Sequence, residues 1–133
     1  MAGFFPSDSD SIGWKRNGAR ERGHRLRRGR PHRRLQHEAQ ADVVLAGHYH
    51  AYERFAPQAP DGRTDGLRGI RQFVVGMGGT KLRPMEDRVA NSEVVSDGTH
   101  GVLNLTLAPG AYRWEFIPVA GRTFTDEGTG RCH

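Results

Sequence analysis

The chain has 133 residues, a length that suits one domain, but only 35% of them are hydrophobic and 18 are glycine, which argues against a compact helical bundle and for short strands joined by loops. The net charge of +5 is uneven: residues 1–40 hold 10 Lys and Arg against 4 Asp and Glu, and residues 41–133 hold 10 against 11, so a nucleic-acid reading based on charge applies only to the first segment. A single cysteine, Cys132, excludes an internal disulfide, and the absence of any C-x₂-C pair excludes a Cys-rich zinc site.

Residues 1–40 show no amphipathic period. From Arg20 to Arg34 the chain carries one aliphatic residue, Leu26, among repeated arginines. Like charges repel, and little apolar surface offsets chain entropy, so disorder is expected. A short helix over residues 33–40 is the one element expected here. The arginines of residues 16–34 either neutralise phosphates of a nucleic acid or anionic surface, or form a solvated tail. No aromatic residue is interleaved among them for base stacking, which favours the tail. Met1–Pro6 is too short for the apolar core of a secretion signal, and no stretch approaches the length of a membrane span.

The texture changes at Ala41. Asp42-Val43-Val44-Leu45-Ala46 is a continuous apolar run ending at Gly47, the pattern of a strand buried on both faces. Residues 56–69, with Asp61-Gly62 and Asp65-Gly66, form a surface loop. Residues 70–76 read as a second strand that stops at Gly76, Gly78 and Gly79. The glycines before Thr80-Lys81 match neither phosphate-loop spacing and are a strand-ending turn. Residues 80–98 are irregular. A hairpin follows, with Leu103, Leu105 and Leu107 on one face of the first strand. Ala108-Pro109-Gly110 forms its turn, and Tyr112, Trp114 and Phe116 are the core side of the return strand. The tail after Pro118 is read as loop. Cys132 is either a free exposed thiol or the partner of a cysteine outside this chain.

The chemistry concentrates in Gly47-His48-Tyr49-His50. Two histidines two apart, in an extended or tightly turned segment, can be presented to one site. In a two-metal centre each can serve a different ion, and neutral imidazole suits Zn, Fe and Mn. A glycine before the first histidine lets the backbone pass close to the ions. An apolar strand feeding such a pair matches sites built at the C-terminal ends of sheet strands. Tyr52, Glu53 and Arg54 follow directly, either supporting the histidines or forming an arginine–carboxylate brace at the strand end.

Residues 41–54, ADVVLAGHYHAYER, resemble the G-H-x-H block of purple-acid-phosphatase-like and calcineurin-like metallophosphoesterases. Residues 70–79, IRQFVVGMGG, are similar to that family's next strand and glycine turn. GVLNLTL at 101–107 and YRWEF at 112–116 resemble its closing hairpin, and residues 123–133 resemble the C-terminus of bacterial members. The resemblance covers about residues 41–133. It implies an α/β fold in which this chain supplies the C-terminal part of a sandwich of mixed sheets with helices outside. It further implies that His48 ligates one metal and His50 the other, with Fe, Zn or Mn as the ions and a phosphate ester as the substrate.

The family's other ligands come from G-D-x-x, bridging-aspartate, G-N-H and further histidine blocks, and residues 1–40 contain no G-D or N-H pair. The resemblance thus implies a fragment of a two-metal phosphoesterase, inactive or weakly active by itself and marginally stable. Its catalytic residues are not identified beyond the metal ligands. Residues 1–40 would be a basic segment outside the resembling domain. Related bacterial enzymes are often exported, although this chain shows no export signal. The alternative is a non-enzymatic protein whose basic arm binds nucleic acid or an anionic surface from a β scaffold.

Overall fold

A computed structural model describes residues 2–3, 30–85 and 87–133, with side chains described from residue 33 onward. Most of the arginine-rich run, including the expected disorder and phosphate-binding segment, lies outside the described residues. The chain is mostly β, in two sheets, with one described helix. In chain order the elements are β1 (Ala2–Gly3), α1 (Arg30–Glu38), β2 (Val43–Ala46), β3 (Tyr52–Phe55), β4 (Arg71–Val75), β5 (Ser92–Ser96), β6 (Gly101–Ala108), β7 (Ala111–Pro118) and β8 (Glu127–Arg131).

The first sheet has the order β1-β2-β4-β3-β5. Strands β1, β2 and β4 run parallel, whereas β3 is antiparallel to both β4 and β5. The strand buried on both faces is therefore β4, not β2. In β4 the three central residues Gln72, Phe73 and Val74 are buried, whereas in β2 only Val43 is. Position in the sheet explains the difference: β4 has a full partner on each side, while β2 has only the two residues of β1 on its outer flank.

Strand β5 lies in the segment expected to be irregular, and β8 in the tail expected to be loop. Helix α1 begins three residues before its expected start and ends at Glu38, two residues short of the expected end. It closes with Gln40 in the left-handed region (φ 54°) and Ala41 N–H donating to Gln36 C=O at 3.0 Å, a Schellman-type cap made without glycine.

The hairpin forms as its alternation predicts. Leu103 pairs with Phe116, Leu105 with Trp114 and Leu107 with Tyr112, around Pro109 and Gly110 (φ 71°). Tyr112, Trp114 and Phe116 are buried, and Leu103 and Leu105 pack against them. Leu107, at the tip, extends past the covering sheet and is 56% exposed.

The two sheets meet face to face through aromatic rings. Tyr52 of β3 lies 4.9 Å from Phe116, and Phe73 of β4 lies 5.5 Å from Trp114, centroid to centroid. Val43, Tyr52, Phe73 and Met77 from one side and Tyr112, Trp114 and Phe116 from the other make the core. Each such ring contributes about 1.5–3 kcal/mol by leaving water. Phe124, from the connection to β8, stacks against both Tyr52 and Phe116.

A polar cluster fastens the sheets at one end. Asp126 accepts from Tyr52 Oη (2.6 Å), Arg54 Nε (2.7 Å) and Nη2 (3.2 Å), and Trp114 Nε1 (3.2 Å). Glu93 of β5 receives both Arg54 and Arg71, and both guanidinium groups lie over the Trp114 ring. Burial alone would lower the Arg54 guanidinium, but the bond to Asp126 and the charges of Asp126 and Glu93 outweigh it and hold it above its ordinary value.

Burial, with help from the Asp126 bond and charge, raises the Tyr52 phenol, and burial raises Tyr112 as well. The folded chain thus holds these protons more tightly than the unfolded chain does. That stability is whole below pH about 10, the ordinary tyrosine value, and drains away as the pH climbs past it. Burial also raises the Cys132 thiol, so a series of urea midpoints between about pH 8 and pH 11 is expected to begin falling above about pH 8.5, the ordinary thiol value, and to fall further above about pH 10. A flat profile throughout would contradict the burial of these phenols.

At the foot of β2, Asp42 is buried beside the last residues of the chain. His133 places its backbone N–H 2.9 Å and its ring Nδ1 2.8 Å from Asp42 Oδ1. Burial would raise the Asp42 carboxyl, but the bonds from His133 and the Cys132 thiol prevail and lower it. Cys132 is a free thiol, half-buried and packed against the core rather than exposed.

Candidate metal centre

Because β2 and β4 are parallel neighbours, their C-terminal ends open on the same side of the sheet. The loop of residues 47–51 leaves β2 there, and the loop of residues 76–84 leaves β4. The two loops are laced together. Gly76 N–H donates to Ala51 C=O (3.2 Å), Arg83 N–H to His50 C=O (3.1 Å) and Tyr49 Oη to Pro84 C=O (3.0 Å).

Within the first loop the backbone makes two consecutive three-residue turns. Tyr49 N–H bonds to Gly47 C=O and Ala51 N–H to Tyr49 C=O, each at 2.9 Å. His48 is the apex of the first and His50 of the second. His48 has φ 70°, as in the rarer and strained form of γ-turn; His50 is not in the left-handed region. Two turns of opposite hand, back to back, put His48 and His50 at successive apices of the loop. An exposed, non-glycine residue held in this region stores about 1–3 kcal/mol of strain.

That strain gives a direct prediction. Glycine adopts φ 70° freely, so His48→Gly is expected to raise folding stability by about 1 kcal/mol, net of glycine's own entropic cost. Urea unfolding of the metal-free variant measures it. A clear loss of stability would mean that the side chain makes contacts worth more than its strain.

His50 is half-buried, and its Nδ1 lies 2.8 Å from Lys81 C=O, with Thr80 Oγ1 at 3.5 Å, the outer limit of a bond. A carbonyl oxygen only accepts, so Nδ1 bears the hydrogen and the Nε2 lone pair remains for a ligand. This is the arrangement by which a carbonyl commonly orients a metal-binding imidazole. His48 is exposed, and nothing lies within 4 Å of where a Cβ on Gly47 would be.

The glycine that close packing does demand is Gly76, which sequence reasoning treated only as a strand ending. A Cβ there would sit 2.0 Å from Tyr49 C=O. Met77, the next residue, is fully buried and anchors the second loop in the core.

Tyr52 and Arg54 point into the interface between the sheets and join Asp126 in the inter-sheet clasp. Glu53, alternating with them, is buried on the opposite face of the sheet. Asp126 and Glu93, the carboxylates of the clasp, escaped the sequence reading. An arginine after a buried tyrosine signals that an acceptor is needed but does not say which of the distant carboxylates provides it.

Among the described residues no group of three or more His, Cys, Asp or Glu side chains gathers around a potential ion position. His48 and His50 are two imidazole donors, fewer than the three or four protein ligands of a zinc site. No helix among the described residues is long and apolar enough to cross a membrane. No protein-family model matches the chain, and no curated protein matches it.

Proposed function

We propose that residues 41–133 form the closing part of a two-metal phosphoesterase domain of the purple-acid-phosphatase or calcineurin-like type, with His48 and His50 as ligands to its two ions. The observation that carries this reading is the pair of γ-turn apices at the end of β2, with His50 oriented by Lys81 C=O so that Nε2 is left for an ion. Two sheets packed through their aromatic faces support this reading, since the closing layers of an α/β sandwich would meet in that way.

In such a centre the ions, Fe, Zn or Mn, supply an activated water and a clamp for the phosphate oxygens of an ester substrate. The residues of this chain hold and orient. Lys81 fixes the His50 ring, the γ-turns present both imidazoles, and Gly76 lets the second loop press against the first. The bridging carboxylate and the remaining ligands must come from residues other than these, so the chain alone is expected to bind metal better than it turns over substrate.

The test is calorimetric titration with Zn²⁺ and Mn²⁺, together with hydrolysis of a chromogenic phosphate ester. Metal uptake is expected in the native chain and is lost in His48→Ala and in His50→Ala, along with any metal-dependent hydrolysis. Uptake unchanged in both variants would sink the assignment. Salt-sensitive binding of DNA or RNA without any metal dependence would instead favour the reading based on the basic arm, which rests on the excess of 10 Lys and Arg over 4 Asp and Glu in residues 1–40.

A further inference from the structure

A third histidine reaches the same pair of loops. His100 Nε2 lies 2.9 Å from Thr80 C=O, the carbonyl next in line to the Lys81 C=O that His50 holds at 2.8 Å. Two consecutive carbonyls therefore each accept from a different imidazole. His100 stands just before β6 of the second sheet, and its own carbonyl accepts from Val119 N–H at 3.0 Å. Its neighbour Thr99 is buried, and Gly101 packs against Phe116 so closely that a Cβ there would lie 2.5 Å from the ring. His100 thus reaches from a firmly seated backbone into a loop of the other sheet. The segment it grips, residues 78–81, is exposed and glycine-rich, and a Cβ on Gly78 or Gly79 would meet nothing within 4 Å. Left alone, that segment has little to fix the direction of the Lys81 carbonyl.

We propose that His100 is a positioning residue for His50. By donating Nε2–H to Thr80 C=O it fixes the adjacent Lys81 C=O. That carbonyl in turn keeps the His50 proton on Nδ1 and leaves Nε2 open. The consequence for metal affinity rests on the phosphoesterase reading; the consequence for the His50 tautomer does not.

The experiment uses ¹⁵N-labelled full chain, metal-free, and long-range ¹H–¹⁵N correlations that report which ring nitrogen carries the proton. In the native chain His50 is expected as the Nδ1–H tautomer and His100 as the Nε2–H tautomer. His100 found as Nδ1–H overturns the proposal without any variant. In His100→Leu, close in size but without a donor, His50 is expected to lose its Nδ1–H preference, and Zn²⁺ affinity to fall about 10–100-fold. His100→Gln, whose amide can donate to the same carbonyl, is expected to restore both. A merely structural role would shift the melting temperature but leave the tautomer of His50 alone. An unchanged Nδ1–H tautomer in folded His100→Leu overturns the proposal. If the native chain takes up no Zn²⁺, the metal reading falls, while the tautomer comparison still decides the role of His100.

Discussion

Replacing Asp126 with alanine is expected to cost about 3–5 kcal/mol of folding stability, the range for removing one member of a buried ion pair. Side-chain exposure is 8% for Asp126 and 12% for Arg54, so neither charge has water to fall back on. The substitution would strand two guanidinium N–H donors, the Tyr52 hydroxyl and the Trp114 indole N–H in one step. Glu93 remains to Arg54 but sits nearer the surface, at 38% exposure, and is shared with Arg71. Asp126→Asn keeps an oxygen acceptor but loses the charge, and its cost should fall between alanine and wild type. Urea unfolding with fixed m-value measures both. A loss below about 1 kcal/mol for alanine would show the cluster to be no better than a surface pair. A domain of this size has about 5–15 kcal/mol in total, so the alanine variant would stand near the edge of folding.

The second large effect is expected at Gly130. This residue pairs directly with Tyr112 across β7 and β8, and a Cβ there would lie 2.1 Å from the Tyr112 ring carbon Cζ and 2.3 Å from its hydroxyl oxygen. Gly128 stands in the same relation to Trp114, with a Cβ falling 2.4 Å from the indole. Both rings are buried by lying across glycine backbone. Valine at position 130 must evict the Tyr112 ring from its seat or push β8 off β7. Overpacking in a core costs about 1–3 kcal/mol, and displacing the ring adds to it, so a loss of about 3 kcal/mol or more is expected for Gly130→Val. Hydrogen exchange of the β8 amides distinguishes the two responses, since detachment of the strand exposes them all. A variant that melts like wild type would mean that the ring does not rest on this glycine.

These glycines also explain why β8 was not visible in the sequence. Glu127-Gly128-Thr129-Gly130-Arg131 has the composition of a loop, because strand preference rewards side chains that pack, and here the packing is supplied by the partner strand. Strand β5, Ser92–Ser96, was hidden for another reason: it is short and lies at an edge, with Val94 its only side chain against the core. The hairpin was legible because period-2 alternation is decided locally, by which face of β7 meets the other sheet. The continuous run at Val43–Ala46 correctly announced a strand but not its place in the sheet, since the number of neighbours is fixed by chain segments far away. Likewise Gly47-His48-Tyr49-His50 could be read locally as two imidazoles delivered at the end of a strand. The orienting carbonyl of Lys81, the grip of His100 and the acceptor role of Asp126 depend on contacts across 20 to 74 residues.

The bond between His133 and Asp42 joins residues 91 apart, and it secures the strand that delivers the paired imidazoles. Anything fused directly after His133 has to leave past a ring and an amide already committed to that carboxylate. A purification handle on that side, particularly a hexahistidine with its own affinity for transition metals, would both tug on the root of β2 and obscure the titration of His48 and His50. The handle belongs at the other end, separated by a cleavable spacer and removed before any ion is added.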